Sequence, residues 1–278
     1  MTKSWMEFLA LVAKASGDAL ETFFRGQSNA DWPLAPSLGR RNFSGSLEPA
    51  LFYDFLTHSA SLVDAGLDSW DLLFMMRHHG VPTRLLDWTQ SFAVALYFAI
   101  GPEEKLGAIH VLDPYILNGS TLGSEEIPHP QVDLDSYYDY FIKPRPKRFP
   151  ASVMAILANR NSARVIAQRG VFTIHNELDH SLEQVCPEAI TTIQIPPDAR
   201  QDALQFLKMA GVNRYTIFPE LEGLGSWLCE YHELDKYPAR ILKPLTSKKK
   251  LPKKSKAKQS SRKVVSPKLK KIFTGEKT

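Results

Sequence analysis

The sequence predicts an α+β fold. Strand-like and helix-like stretches come in runs, a strand, then helices, then strands, and not as a regular strand–helix alternation. "GAIHVLD" and "ITTIQIP" have the β-branched, alternating pattern of strands. Residues 89–100 instead place Phe92, Ala93, Leu96, Tyr97, Ala99 and Ile100 at helical spacing. With 278 residues, 44% of them hydrophobic and 10% aromatic, the chain is long enough to bury a full core.

In chain order, helices are expected at 3–15, 47–64, 68–79, 89–100, 151–167, 198–210 and 219–234. Strands are expected at 20–25, 106–112, 170–175, 189–195 and 214–218. Asp198 and Glu220 fall early in their helices, where the helix dipole favours a carboxylate. Pro114, Pro196 and Pro219 each stop a segment. Gly80 suits a left-handed helix end, and Gly170 is expected to break the helix before it. Asp87 and Thr89 both stand where a side chain could cap the next helix. Trp88 reads as core. No internal repeat is evident.

The body, residues 1–245, and the tail, 246–278, differ in charge. The tail holds 13 Lys or Arg and one acidic residue, a local +12, which leaves −8 for the body of a chain whose total is +4. The tail carries too few apolar groups to offset its ordering entropy, so it is expected to be disordered. Its Lys248, Lys249, Lys250, Lys253, Lys254, Lys256 and Lys258 could meet nucleic-acid phosphates, or could serve as a solubilising counterweight to an acidic body. Cys186 and Cys229 are too few for a disulfide scaffold and read as reduced core thiols. No apolar run approaches a membrane span, and the N-terminus lacks the pattern of a signal peptide. A cytoplasmic setting without membrane partners is expected.

Four stretches concentrate polar residues at the ends of apolar elements. "FFRGQ" ends a strand in Arg25, Gly26 and Gln27. "MMRHHGVPTRLLDWT" packs Arg77, His78, His79, Arg84, Asp87 and Thr89 beside an apolar helix. "NRNSARVIAQRGVF" sets Arg160, Arg164 and Gln168 on one expected helix face. "IFPELEGL" carries Glu220 and Glu222. Adjacent His78 and His79 point apart on a helix and suit hydrogen bonding better than shared metal ligation, and no metal is expected. There is no GxxxxGK[ST] loop and no GxSxG elbow.

"FRGQ", "HHGVPTRLLDWT" with "AVALYFA", "QRGVFTIH" and "FPELEGL", in this order, resemble the FRG domain family across residues 20–230. The blocks are also similar to the ADP-ribosyltransferases whose signature is an Arg, a Ser-Thr-Ser and a Glu. That resemblance implies one domain with a split β-sheet surrounded by helices. It implies an enzyme using NAD as cosubstrate, an ADP-ribosyltransferase or NAD glycohydrolase. Arg25 would anchor NAD beside Gly26 and Gln27. His79, Arg84, Asp87 and Thr89 would line its site, with Thr89 positioning a ribose hydroxyl. Gln168 would face the reacting centre, where the transferases carry glutamate; Glu177, Glu220 and Asp87 are substitutes for the missing charge. A role as a bacterial toxin or anti-phage effector, with an antitoxin or regulatory protein as partner, fits such an enzyme. Two alternatives stand beside it: a non-catalytic nucleotide- or nucleic-acid-binding module, and a metal-dependent nuclease using His78, His79 and Asp87. Arg25 could also pair with Asp31 or Asp87 and brace the fold.

Overall fold

The apolar run of residues 108–112 is buried at every position, as a strand covered on both faces must be. It lies second from one edge of a six-stranded antiparallel sheet ordered β4-β5-β2-β1-β3-β6. The strands are β1 (Phe23–Gln27), β2 (Leu85–Thr89), β3 (Ala108–Leu112), β4 (Val153–Ile156), β5 (Gly170–His175) and β6 (Ile190–Gln194). The helices are α1 (Lys3–Ser16), α2 (Leu47–Ser59), α3 (Ser69–His78), α4 (Phe92–Ala99), α5 (Pro114–Thr121), α6 (Pro130–Asp133), α7 (Ala163–Gln168), α8 (Leu182–Val185), α9 (Arg200–Met209), α10 (Arg214–Ile217) and α11 (Leu221–Tyr231). The computed structural model describes residues 1–17, 19–40, 47–63, 66–101 and 107–236. They belong to one compact unit, Met1–Tyr237. The expected basic tail, with its seven named lysines, lies outside the described residues.

The sheet is split in the middle. β1 pairs with β3 from Phe23↔Leu112 to Gln27↔Ala108, and β2 pairs with β5 from Leu85↔Ile174 to Thr89↔Gly170. Between β1 and β2 only Phe24↔Thr89 is in register. Beyond that pair the two halves part, and each half has its own core. Ile109, Val111 and Ile193 pack under α1, α4 and α9 with Trp5, Phe8 and Leu207. Leu85, Met154, Phe172 and Ile174 pack under α2 and α3 with Phe52, Trp70 and Leu73. A third cluster, with Phe23, Trp88, Val153 and Leu182, covers the opposite face of both halves.

Several elements differ from expectation. Residues 151–167, read as one helix, divide into β4 and the short α7. Val153–Ile156 is buried throughout as an inner strand run, which helical periodicity cannot distinguish from a buried helix. Residues 85–89, read as the approach to a helix, form β2. Residues 214–218, read as a strand, begin with α10, capped by Asn213, whose side chain accepts from the Thr216 N–H. α7 ends just before Gly170, as expected, and the residue that turns left-handed there is Arg169 at φ 47°. Gly80 has φ +81° at the end of α3, as expected. Cys186 is buried, whereas Cys229 is exposed and is not a core thiol. Among the described residues no helix is long and apolar enough to cross a membrane.

Candidate functional site

The split between β1 and β2 opens into a cleft of about 1050 Å³. Arg25, Gly26, His79, Asp87, Thr89 and Gln168 line it, although 143 positions separate the first from the last. Phe24, Phe74, Trp88, Phe98 and Phe172 supply apolar wall, and Glu220 and Glu222 close the side formed by the start of α11.

At the floor, Arg25 replaces ladder that the parted strands do not make. Its Nη1 donates to the Asp87 carbonyl oxygen at 2.7 Å and lies 3.9 Å from the Asp87 carboxylate. Its Nε is buried without a hydrogen-bond partner. Burial brings the Arg25 pKa down to about 10; Asp87 opposes this, and the nearby charges of Arg77 and Arg40 add to it. Arg25 therefore stays charged at neutral pH. Arg77, from the last turn of α3, clamps the Asp87 carboxylate: its Nε donates to Oδ1 and Oδ2 at 2.9 and 3.0 Å, and its Nη2 also donates to Oδ2. Burial raises the pKa of Asp87, but Arg77, by charge and hydrogen bonds, and then Arg25 outweigh it and hold the carboxyl below its ordinary range. Arg25 and Arg77 thus share a single carboxylate, and Arg40 adds positive charge near Arg25, which favours an incoming anion. The Asp87 side chain is still 39% exposed and faces the cleft.

Gly26 lines the cleft, yet its lack of a side chain answers to α4. A Cβ there would lie 1.7 Å from the Ala95 carbonyl oxygen, so only glycine lets α4 lie this close to β1. Thr89 is buried; its hydroxyl donates to the Gln168 carbonyl oxygen at 2.6 Å and accepts from the Ser91 N–H. The Gln168 amide donates to the Ile217 carbonyl oxygen at 3.2 Å, tying α7 to the segment that leads into α11. Arg164 donates to the His78 carbonyl oxygen and stacks over Phe218. Arg160 precedes α7 and bonds Gln90. It does not share a helix face with Arg164 and Gln168, as the spacing had predicted.

Two expected site residues stand away from the cleft. Gln27 is buried on the face of β1 that also holds Phe23 and Arg25, three residues beyond the last β1–β2 pair at Phe24. Arg84 reaches the other way, into a buried cluster. It donates through Nε to Glu48 at 2.7 and 2.8 Å, and through Nη1 to the carbonyl oxygens of His175 and Asn176. Tyr137 donates its hydroxyl to the same Glu48, and the Arg84 guanidinium lies over Phe141 at 4.3 Å. Of the substitutes for a catalytic acid, Asp87 and Glu220 line the cleft and Glu177 does not. Asp31 is not part of the Arg25 contacts described above; its N–H bonds Asn29. Among the described residues no group of three or more His, Cys, Asp or Glu could hold a metal ion.

Sequence reasoning gave Arg77 no role of its own. The signal was available only weakly, as an arginine ten residues before an aspartate in an apolar run. No curated protein and no solved structure matches the chain. Residues 21–106 match the family model of the FRG domain, a match that ends before Gln168 and Glu220. That segment, which holds β1, α2, α3, β2 and α4, is similar to the FRG domain family.

Proposed function

We propose that the cleft takes NAD as cosubstrate and that the protein is an ADP-ribosyltransferase-like enzyme, transferring ADP-ribose or cleaving the nicotinamide bond. The observation that carries this reading is the arginine group at the split. A buried Arg25 with an unused Nε and a charge-crowded Asp87 stand at the floor of a cleft large enough for a dinucleotide. Arginine's planar fork suits a pyrophosphate, and the aromatic walls suit flat rings. Breaking the nicotinamide–ribose bond builds positive charge on the ribose, and the cleft holds carboxylates on two walls, Asp87 and Glu220. A toxin or anti-phage setting, with a regulatory protein as partner, would follow from such chemistry.

One observation favours a second reading, a non-catalytic nucleotide-binding module. Arg77 is taken up by Asp87 and Ser37, and the Thr89 hydroxyl and the Gln168 amide are bonded to main chain. Incubation of the full chain with labelled NAD separates the two. Neither nicotinamide release nor a mass shift from added ADP-ribose is required for binding, so calorimetry runs beside product analysis. The enzyme reading expects release that Arg25→Lys lowers by about tenfold or more, because an ammonium cannot reproduce the fork. Tight NAD binding with no product at all moves the protein to the second reading, and no NAD binding removes both nucleotide readings in this form.

A further inference from the structure

Glu220 is the N-cap residue of α11, yet its side chain makes no cap hydrogen bond. It turns into the cleft instead. There Oε1 is buried, 3.3 Å from the His78 Nε2, at ion-pair distance but without hydrogen-bond geometry, so it has no hydrogen-bond partner. The side chain as a whole is 40% exposed and that of His78 only 19%. One carboxylate oxygen is thus held against an imidazole while the group stays open to the cleft. A carboxylate at an N-cap ordinarily satisfies free helix N–H groups. Here that stabilisation is forgone, and a buried carboxylate oxygen without a bonded partner is costly unless something donates to it.

We propose that Glu220 is the catalytic general base of the cleft, positioned by His78, and that it takes the proton of the acceptor hydroxyl or water that attacks the substrate. The assignment rests on the NAD reading above and adds the residue that carries the proton. In the step, the acceptor oxygen bonds to the ribose C1′ as the C1′–nicotinamide bond breaks. The electron pair of that bond goes to the nicotinamide nitrogen, and the acceptor proton goes to Glu220. Nothing is oxidised or reduced. His78 suits the positioning part because it is held from several sides. Arg164 bonds its carbonyl oxygen, and the His79 ring packs 4.7 Å away. Burial, then Arg164 and His79, lower the His78 pKa, with Glu220 opposing, so the imidazole is neutral at pH 7. Among the described residues, Glu222, Arg25 and the Arg77–Asp87 pair are the other charged groups lining the cleft.

The test uses the full chain with NAD, measuring affinity by calorimetry and nicotinamide release by chromatography. Glu220→Gln, close in shape, is expected to keep NAD affinity within about threefold and to lower kcat by about 10²–10⁴-fold. Glu220→Asp, checked for folding by its melting curve, is expected to lose most of kcat as well, because the shortened carboxylate no longer reaches. His78→Gln is expected to lower kcat less and to shift the acid limb of the kcat–pH profile, which a purely structural role would leave in place. Glu220→Gln with kcat within threefold of wild type overturns the assignment and leaves the NAD reading intact. A wild-type chain that binds NAD and never cleaves it also overturns the assignment. Failure of the wild-type chain to bind NAD overturns the underlying reading, and the assignment with it.

Discussion

Two arginine–carboxylate clusters are built around β2, one at the residue before the strand and one at its middle, and both draw on the stretch 77–87. In the first, Arg84 meets Glu48, with Tyr137, Phe141 and two main-chain carbonyls completing the set. Both charges are largely buried and the guanidinium bonds on several sides. In the second, Arg77 and Arg25 meet Asp87 in the cleft, with Arg25 Nε unpartnered and Asp87 exposed to solvent. The difference lies in satisfaction. A buried ion pair whose donors and acceptors are met holds neighbouring segments together; here it joins α2, β2 and the end of β5. An ion pair with excess positive charge and an unused donor, on the wall of a cleft, is poised for an anion.

The sharpest way to break this comparison is Glu48→Ala. It leaves Arg84 buried without its carboxylate, and a loss of about 3–5 kcal/mol in unfolding free energy is expected from denaturant titration. A loss below about 1 kcal/mol means that Arg84 is not a brace.

Acid separates the clusters by their pH windows. His175, beside the Arg84 cluster, is fully buried, and its pKa is pushed down to about 3 by burial, then by Arg84 and Arg25. His110 is pushed down to about 4 by burial and Arg25. A depressed histidine pKa means that the unfolded chain binds the proton more readily. That stability is complete above the ordinary value near 6.5 and is lost as pH falls from there toward 3–4. The melting temperature should fall through this window, and His175→Asn should flatten part of the slope. An unchanged slope would remove His175 from the account.

The smallest effect is expected at the cleft. Asp87→Asn should cost about 1–2 kcal/mol at pH 7, between the values for exposed and buried pairs. Because the Asp87 pKa is depressed, its contribution is present above about 3.8 and is lost as pH falls through the folded value. The wild-type and Asp87→Asn melting curves should therefore converge at strongly acid pH. If they stay apart there, the charge on Asp87 is not what the substitution removed.

The sequence picked out several polar residues of the cleft lining before any geometry was known. Arg25, His79, Asp87, Thr89 and Gln168 stood out as polar residues at the ends of apolar runs, and all line one cleft. It could not separate Arg84 from Asp87. Three positions apart, they follow the same logic of a charge flanking apolar residues. Only the partners decide their roles: Glu48 and Tyr137 lie 36 and 53 positions from Arg84 in sequence. β4 and β2 were missed because a strand buried on both faces lacks the alternation that marks a half-exposed one.

By itself, then, the sequence determined the α+β class, the ends of α1 and α3, the strand β3 and the contrast between an acidic body and a basic tail. These depend on local propensity, capping and composition, which act over a few residues. Tertiary structure alone decided that β1 and β2 part after Phe24↔Thr89, that Gly26 makes room for α4, and that Glu220 turns from its helix toward His78. Each of these depends on backbone and charge brought together from distant parts of the chain, and no local pattern encodes a partner that far away.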